Sequence, residues 1–172
     1  MGDGVEDPES QLDAIRAEAS RIQESAVYSA QGQFEAAKRW RLVHWGLAVL
    51  AAGLSSGTAV ITFADGAQAW SAVLAVLAAI STTVLASARP DRLAERAQAA
   101  GTGYTTLHND VRRFHGITVP QGDPQDLAGE LDALADRAAA LDQSADPVPR
   151  WAYERARKNI EHDGGQTFEA DV

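Results

Sequence analysis

The 172-residue chain has no cysteine, so it carries no disulfide framework, no thiolate metal site and no cysteine nucleophile. It has little lysine: 2 Lys stand against 13 Arg, a bias that with abundant alanine suggests a high-GC bacterial source. Positive charge is in deficit overall, 15 Lys+Arg against 24 Asp+Glu for a formal net charge of −9. That balance argues against a nucleic-acid binder, which would normally show a basic face or stripe. No stretch alternates apolar and polar residues over a strand's length, so the fold class expected is all-α. The mean hydropathy of −0.22 is that of an ordinary soluble protein. The distribution of charge is not.

Two segments lack Asp, Glu, Lys and Arg altogether. Arg41 is followed by 23 uncharged residues up to Asp65, and Asp65 by another 23 up to Arg89. As helix, 23 residues rise about 34 Å, enough to cross a hydrocarbon core of about 30 Å. Transmembrane spans are therefore expected at 42–64 and 68–88, joined by an Asp65-Gly66 turn. Neither is strongly apolar. Nine large apolar residues in the first contribute about −3 to −5 kcal/mol on an insertion scale, and seven in the second about −2 to −4 kcal/mol. Each span is marginal alone, and the pair is expected to insert as a hairpin. The competing reading, a helical hairpin buried in a soluble protein, requires more surrounding chain than is present to wrap two such rods.

The flanks set the orientation. Lys38, Arg39 and Arg41 precede the first span, and Arg89, Arg92 and Arg96 follow the second, while the hairpin between carries no Lys or Arg. By the positive-inside rule both termini are cytoplasmic in a multi-pass protein of the bacterial inner membrane. Trp40, Trp45 and Trp70 stand where an aromatic belt would place them, and Lys38, Arg39, Trp40, Arg41, Trp45, Arg89 and Arg92 are the expected interfacial anchors. The first 40 residues are polar and acidic, unlike a secretory leader.

The remainder has a helical pattern. Residues 1–9 read as an acidic tail. A helix is expected over 10–41, capped by Ser10, with apolar or small residues at 12, 15, 19, 22 and 26. No breaker separates it from the first span, which leaves continuity open. A helix over 91–115 carries Leu93, Ala97, Ala100, Tyr104, Leu107, Val111 and Phe114 at alternating 4-3 spacing, followed by a loop over 115–122. Gly101 and Gly103 within it either weaken the helix by about 1 kcal/mol each or admit a close neighbour. Asp123-Pro124 signals the start of a helix to 144 with Leu127, Leu131, Leu134, Ala138 and Leu141 on one side, and a last helix is expected over 149–161. Residues 163–172 read as a second disordered tail.

The search for chemistry yields no catalytic residue. Gly53-Leu54-Ser55-Ser56-Gly57 matches the G-x-S-x-G pattern but lies inside an uncharged helical span, where no strand-turn-helix elbow can form. Gly53 and Gly57 read instead as a G-x-x-x-G packing motif, with Gly46 on the same face and a matching column of Ala75, Ala79 and Thr83 in the second span. Whether these columns pack within one hairpin or between subunits stays open. Ser55, Ser56, Thr58 and Thr62, with Ser81 and Thr82, suggest either interhelical hydrogen bonds or the lining of a pore that several copies would have to enclose. His44, His108, His115 and His162 have no ligand-type neighbour one turn away, so no metal and no cofactor is expected. Arg150, Trp151, Arg155, Arg157 and Lys158 form a basic cluster able to meet lipid head groups or a phosphorylated ligand, or simply to face solvent.

Three motifs in order resemble the SLATT domain, a two-transmembrane-helix module of bacterial conflict systems. They are the basic-aromatic run Lys38-Arg39-Trp40-Arg41-Leu42 with Trp45; Pro90 with Glu95-Arg96, Ala100-Gly101, Tyr104, Leu107 and Val111-Arg112; and Pro147-Val148-Pro149-Arg150-Trp151 with Ala152, Ala156 and Ile160. The resemblance covers residues 10–162 as a single domain. It implies an oligomeric, non-enzymatic effector of antiphage defence that forms pores or perturbs the membrane. Its trigger is expected from a separate nucleotide-synthesising or ligand-sensing protein. The alternative is a membrane anchor that recruits a cytoplasmic partner through its helices.

Overall fold

The computed structural model describes residues 8–63 and 68–161, which are helical apart from short connections. In order these are α1 (Pro8–Phe63), α2 (Gln68–Ala88), α3 (Pro90–Arg113), a π-helical turn (Phe114–Thr118), α4 (Pro124–Ser144) and α5 (Arg150–Glu161). The described residues form two compact units. One contains those up to Glu35 and from Ala97 onward, and the other is Ala36–Arg96. The 163–172 tail, and all but the last two residues of the 1–9 tail, lie outside the described residues.

The segments 10–41 and 42–64 are not separate elements: α1 is one helix of 56 residues. Ser10 is not its cap, because the helix already includes Pro8, a residue suited to the first helical position since its missing N–H needs no partner there. The first unit packs α1 against α3 and α4. Ile15, Ala19, Ile22 and Ala26 meet Leu107, Val111, Phe114, Val119 and Leu127, with Leu131, Leu134, Ala138 and Leu141 at the margin. The 4-3 spacing produces this core, since positions three and four apart share a helix face. Small residues in the α1 seam let its neighbours approach. Gly101 does the same for α3: a Cβ there would stand 2.7 Å from Phe34 Cε1, a position the ring must vacate. Gly129, in α4, has nothing within 4 Å. Gly129→Ala is therefore expected to raise stability by up to about 1 kcal/mol, whereas Gly101→Ala lowers it by about 1 kcal/mol because overpacking outweighs the propensity gain. Chemical denaturation of the two variants checks the opposite signs.

The α3 helix does not end in the expected loop at 115. Val119 N–H donates to the Phe114 carbonyl at 2.9 Å, a bond five residues long. In an α-helix positions five apart point about 140° away from each other. The wider turn brings Phe114 and Val119 into one core, where they are 4% and 2% exposed. The α4 start follows expectation, with Asp123 as the cap and its Oδ1 accepting from Gln125 N–H at 3.0 Å.

Polar contacts fasten the helices. Asp110 on α3 holds both Arg113 and, across to α4, Arg137. The Arg113 hydrogen bond, with Arg137 adding to it, keeps the Asp110 carboxyl below its usual pKa. Its stabilisation is thus complete above the ordinary carboxylate pKa and is lost as pH falls through the lowered folded value. Asp110→Asn is expected to cost about 1 kcal/mol at neutral pH, and the gap from wild type should close in acid unfolding titrations. Tyr104 donates to Asp142 Oδ1 at 2.6 Å, and burial first, then that carboxylate, raises the phenol's pKa. Buried Gln33 donates to the Asp146 carbonyl at 2.8 Å, which holds the α4–α5 connection to α1.

Candidate functional site

Within Ala36–Arg96 the less exposed side of α1 includes Leu47, Ala51, Leu54 and Thr58, and that of α2 Ser71, Leu74, Ala78, Ser81 and Leu85. Both series follow the 3-4 spacing of a helix seam. Ala51, Ala78 and Ser81 are its most buried members. Both α1 and α2 contain a stretch long and apolar enough to cross a membrane by length and composition. Their outer faces are unusual for a protein surface. Twelve of the fourteen large apolar side chains exposed among the described residues lie here, including Leu42 (73%), Val49 (67%) and Val76 (58%).

The small-residue columns are not the hairpin seam. Gly46 and Gly53 are exposed, with nothing within 4 Å of where a Cβ would stand. Gly57 alone of the three glycines touches the second helix, its Cβ position lying 3.7 Å from Leu74 Cδ1. Ala75, Ala79 and Thr83 are exposed as well. Packing inside one hairpin is thus excluded for Gly46 and Gly53. The structure does bring other residues together: Ser55, Thr58, Ala75, Ala78, Ala79 and Thr82 line a shallow groove of about 360 Å³ between the two helices.

The hydroxyls are occupied within their own helices. Thr58 donates to the Leu54 carbonyl at 2.8 Å, Ser81 to Leu77 at 2.9 Å, Thr83 to Ala79 at 2.7 Å and Ser87 to Thr83 at 2.8 Å. Thr82 donates to Ala78 and Ala79. Back-bonding of this kind lets a hydroxyl sit in an apolar setting without an unsatisfied donor. The Thr62 side chain lies outside the described residues, and Ser55 and Ser56 are exposed. The G-x-S-x-G match falls within continuous α1, with no elbow around Ser55.

Of the interfacial anchors, Lys38, Arg39, Arg41, Trp45, Arg89 and Arg92 are exposed and Trp40 is half-buried. Trp45 meets the edge of His44 at 6.0 Å between ring centres. Arg89 links α2 to α3 in a left-handed backbone conformation, φ 43°.

The basic cluster of α5 is dispersed. Arg150 pairs with Glu154 at 3.1 Å and Arg157 with Glu161 at 3.4 Å, Trp151 is half-buried, and Arg155 and Lys158 face solvent. Ala152 and Ala156 dock the helix. Of this cluster Arg157 reaches a cleft of the first unit, an open space of about 700 Å³ lined by Arg21, Glu24, Tyr28, Tyr153 and Glu161 among others. The rings of Tyr28 and Tyr153 stand 6.4 Å apart, and the Tyr28 hydroxyl reaches Glu161 Oε1 at 3.5 Å. Partial burial, then the charges of Glu161 and Glu24, raise the Tyr28 pKa. The cleft escaped the sequence because its two sides are 133 residues apart.

Among the described residues no group of three His, Cys, Asp or Glu could hold a metal ion. No family model matches the chain, and no curated protein and no solved structure is similar to it.

Proposed function

We propose that this chain is an integral inner-membrane protein with two spans and both ends in the cytoplasm, whose copies associate through the hairpin and permeabilise the membrane when a separate protein or signal triggers them. The observation that carries the reading is the concentration of exposed large apolar side chains on the hairpin. Soluble monomers rarely tolerate so large an apolar surface, whereas lipid covers it at no cost. The open side of Gly53, with the groove beside Thr58 and Ala79, supports contact between copies rather than within one. No enzymatic step belongs to this reading, and the resemblance to the SLATT module supports placing it in antiphage defence.

The back-bonded hydroxyls favour a second reading, an anchor whose cleft between α1 and α5 receives a cytoplasmic partner, since a helix that satisfies its own hydroxyls needs no water-filled lumen. Ion flux from liposomes carrying the purified chain separates the two. A pore predicts flux that Gly53→Leu abolishes and that survives loss of α5. Full biological activity after the hairpin is exchanged for an unrelated two-span anchor would overturn the pore.

A further inference from the structure

Among the described residues, arginines that pair with carboxylates stand in contrast to a group that does not. Arg16, Arg21, Arg113, Arg137, Arg150 and Arg157 each pair with a carboxylate. Arg89, Arg92 and Arg96, all exposed, have no ion-pair partner among the described residues, although Asp91 and Glu95 stand on the same stretch. Helical spacing explains the separation. At 100° per residue along α3, positions 92 and 96 stand about 40° apart, and positions 91 and 95 lie about 80–120° around from their midpoint; Arg89 immediately precedes the helix. The result is two like charges on one face of α3 and a third just before its start, together a short basic ridge. Arg112 and Arg155 are likewise without an ion pair among the described residues, Arg155 with the exposed Lys158 one turn on, but neither adjoins an uncharged span.

Arg89 adds a second, independent feature. Its φ of 43° is a conformation that glycine adopts freely and a residue with a Cβ adopts at a penalty, and Pro90 behind it is fully buried, which fixes the chain there. A glycine would make the turn more easily. An arginine at this place is explained if its guanidinium returns something the turn alone does not need. The ridge begins where the 23 uncharged residues of the second span end, at the depth of lipid phosphates if that span crosses the bilayer.

We infer that Arg89, Arg92 and Arg96 form a binding ridge for the phosphate of anionic phospholipid head groups, so that the chain holds anionic lipid selectively at the α2–α3 joint. This inference rests on the membrane reading above. Guanidinium suits the task because it offers several donors in one plane to phosphate oxygens. Three adjacent unpaired cations favour a lipid carrying net negative charge over a zwitterionic one, whose own ammonium would meet the same ridge unfavourably.

The test uses the full-length chain in a nonionic detergent. It is titrated with short-chain phosphatidylglycerol, with short-chain phosphatidylcholine and, separately, with inorganic phosphate, following thermal stability. Phosphatidylglycerol is expected to bind at least tenfold more tightly than phosphatidylcholine, with the preference shrinking at high salt. The triple variant R89Q/R92Q/R96Q should lose that preference, while R112Q/R155Q/K158Q, which removes three charges elsewhere, should keep it. Arg89→Gly distinguishes binding from structure: it should unfold no earlier than wild type without lipid, yet bind phosphatidylglycerol about threefold more weakly. Equal affinity for both lipids, or an unchanged preference in the triple variant, overturns the inference. An equal response to inorganic phosphate would overturn the lipid assignment and leave a free-anion site. Membrane retention of wild type and triple variant is measured alongside. A chain that stays in membranes but shows no preference sinks this inference alone, and one that needs no detergent sinks the membrane reading with it.

Discussion

Ile80→Asp is expected to release the chain from the membrane, lowering the fraction that resists alkaline carbonate extraction by tenfold or more. Ile80 lies near the middle of α2 and is 53% exposed, outside the hairpin seam. A carboxylate at a helix centre in the bilayer costs about 2.5–3.5 kcal/mol on the insertion scale, and the lost isoleucine adds about 0.3–0.6 kcal/mol. That sum cancels the whole favourable term of the second span, about −2 to −4 kcal/mol. The first span, with its own histidine and hydroxyls, is too marginal to hold alone, so the hairpin is lost as a unit. A chain folded in water would respond oppositely. An exposed isoleucine replaced there by aspartate changes stability by no more than about 0.5 kcal/mol and improves solubility. Ile80→Leu should leave extraction unchanged.

Leu107→Ala is the substitution expected to damage the helical bundle most. Leu107 is 1% exposed and stands in the cluster formed by Ile15, Ile22, Val111, Phe114 and Leu127 from three helices. Truncation removes its apolar contacts and leaves a cavity that three packed helices cannot collapse to fill, a loss of about 2–5 kcal/mol. Against total stabilities of about 5–15 kcal/mol this is a large share, with a fall in Tm of about 6–12 °C for a mid-range value. Membrane retention should be unaffected, because Leu107 belongs to the other compact unit. Thermal unfolding in detergent, read beside carbonate extraction, separates the two variants: Ile80→Asp loses the membrane, Leu107→Ala loses the bundle.

The bundle was legible in the sequence because its helices have contrast. In α3 the series Leu93 to Phe114 alternates with charged and polar residues, so the 4-3 spacing marks the buried side. The same series could not announce the π-helical turn, because what widens that turn is the need to bury Phe114 and Val119 together, a tertiary demand. Inside the hairpin contrast disappears. When every face is apolar, periodicity no longer distinguishes the covered side from the outer side, and the glycine spacing is the remaining signal. The covered side of α1 instead includes Leu47, Ala51, Leu54 and Thr58, and Gly46 and Gly53 are left open. The α5 cluster left lipid contact and a solvated face open for a related reason. Four bases in nine residues look like a patch until Glu154 and Glu161, one turn on from Arg150 and Arg157, are seen to pair with them.

The absence of cysteine makes the central claim directly measurable. Single cysteines introduced as Ser20→Cys, Gly66→Cys, Val76→Cys and Ser144→Cys leave one thiol each, to be labelled with a membrane-impermeant maleimide in intact cells and again after lysis. The account predicts labelling of Gly66→Cys in intact cells, of Ser20→Cys and Ser144→Cys only after lysis, and of Val76→Cys in neither condition until detergent is added. Ready labelling of Val76→Cys after lysis without detergent, together with protection of Gly66→Cys in intact cells, would contradict a hairpin that crosses the membrane.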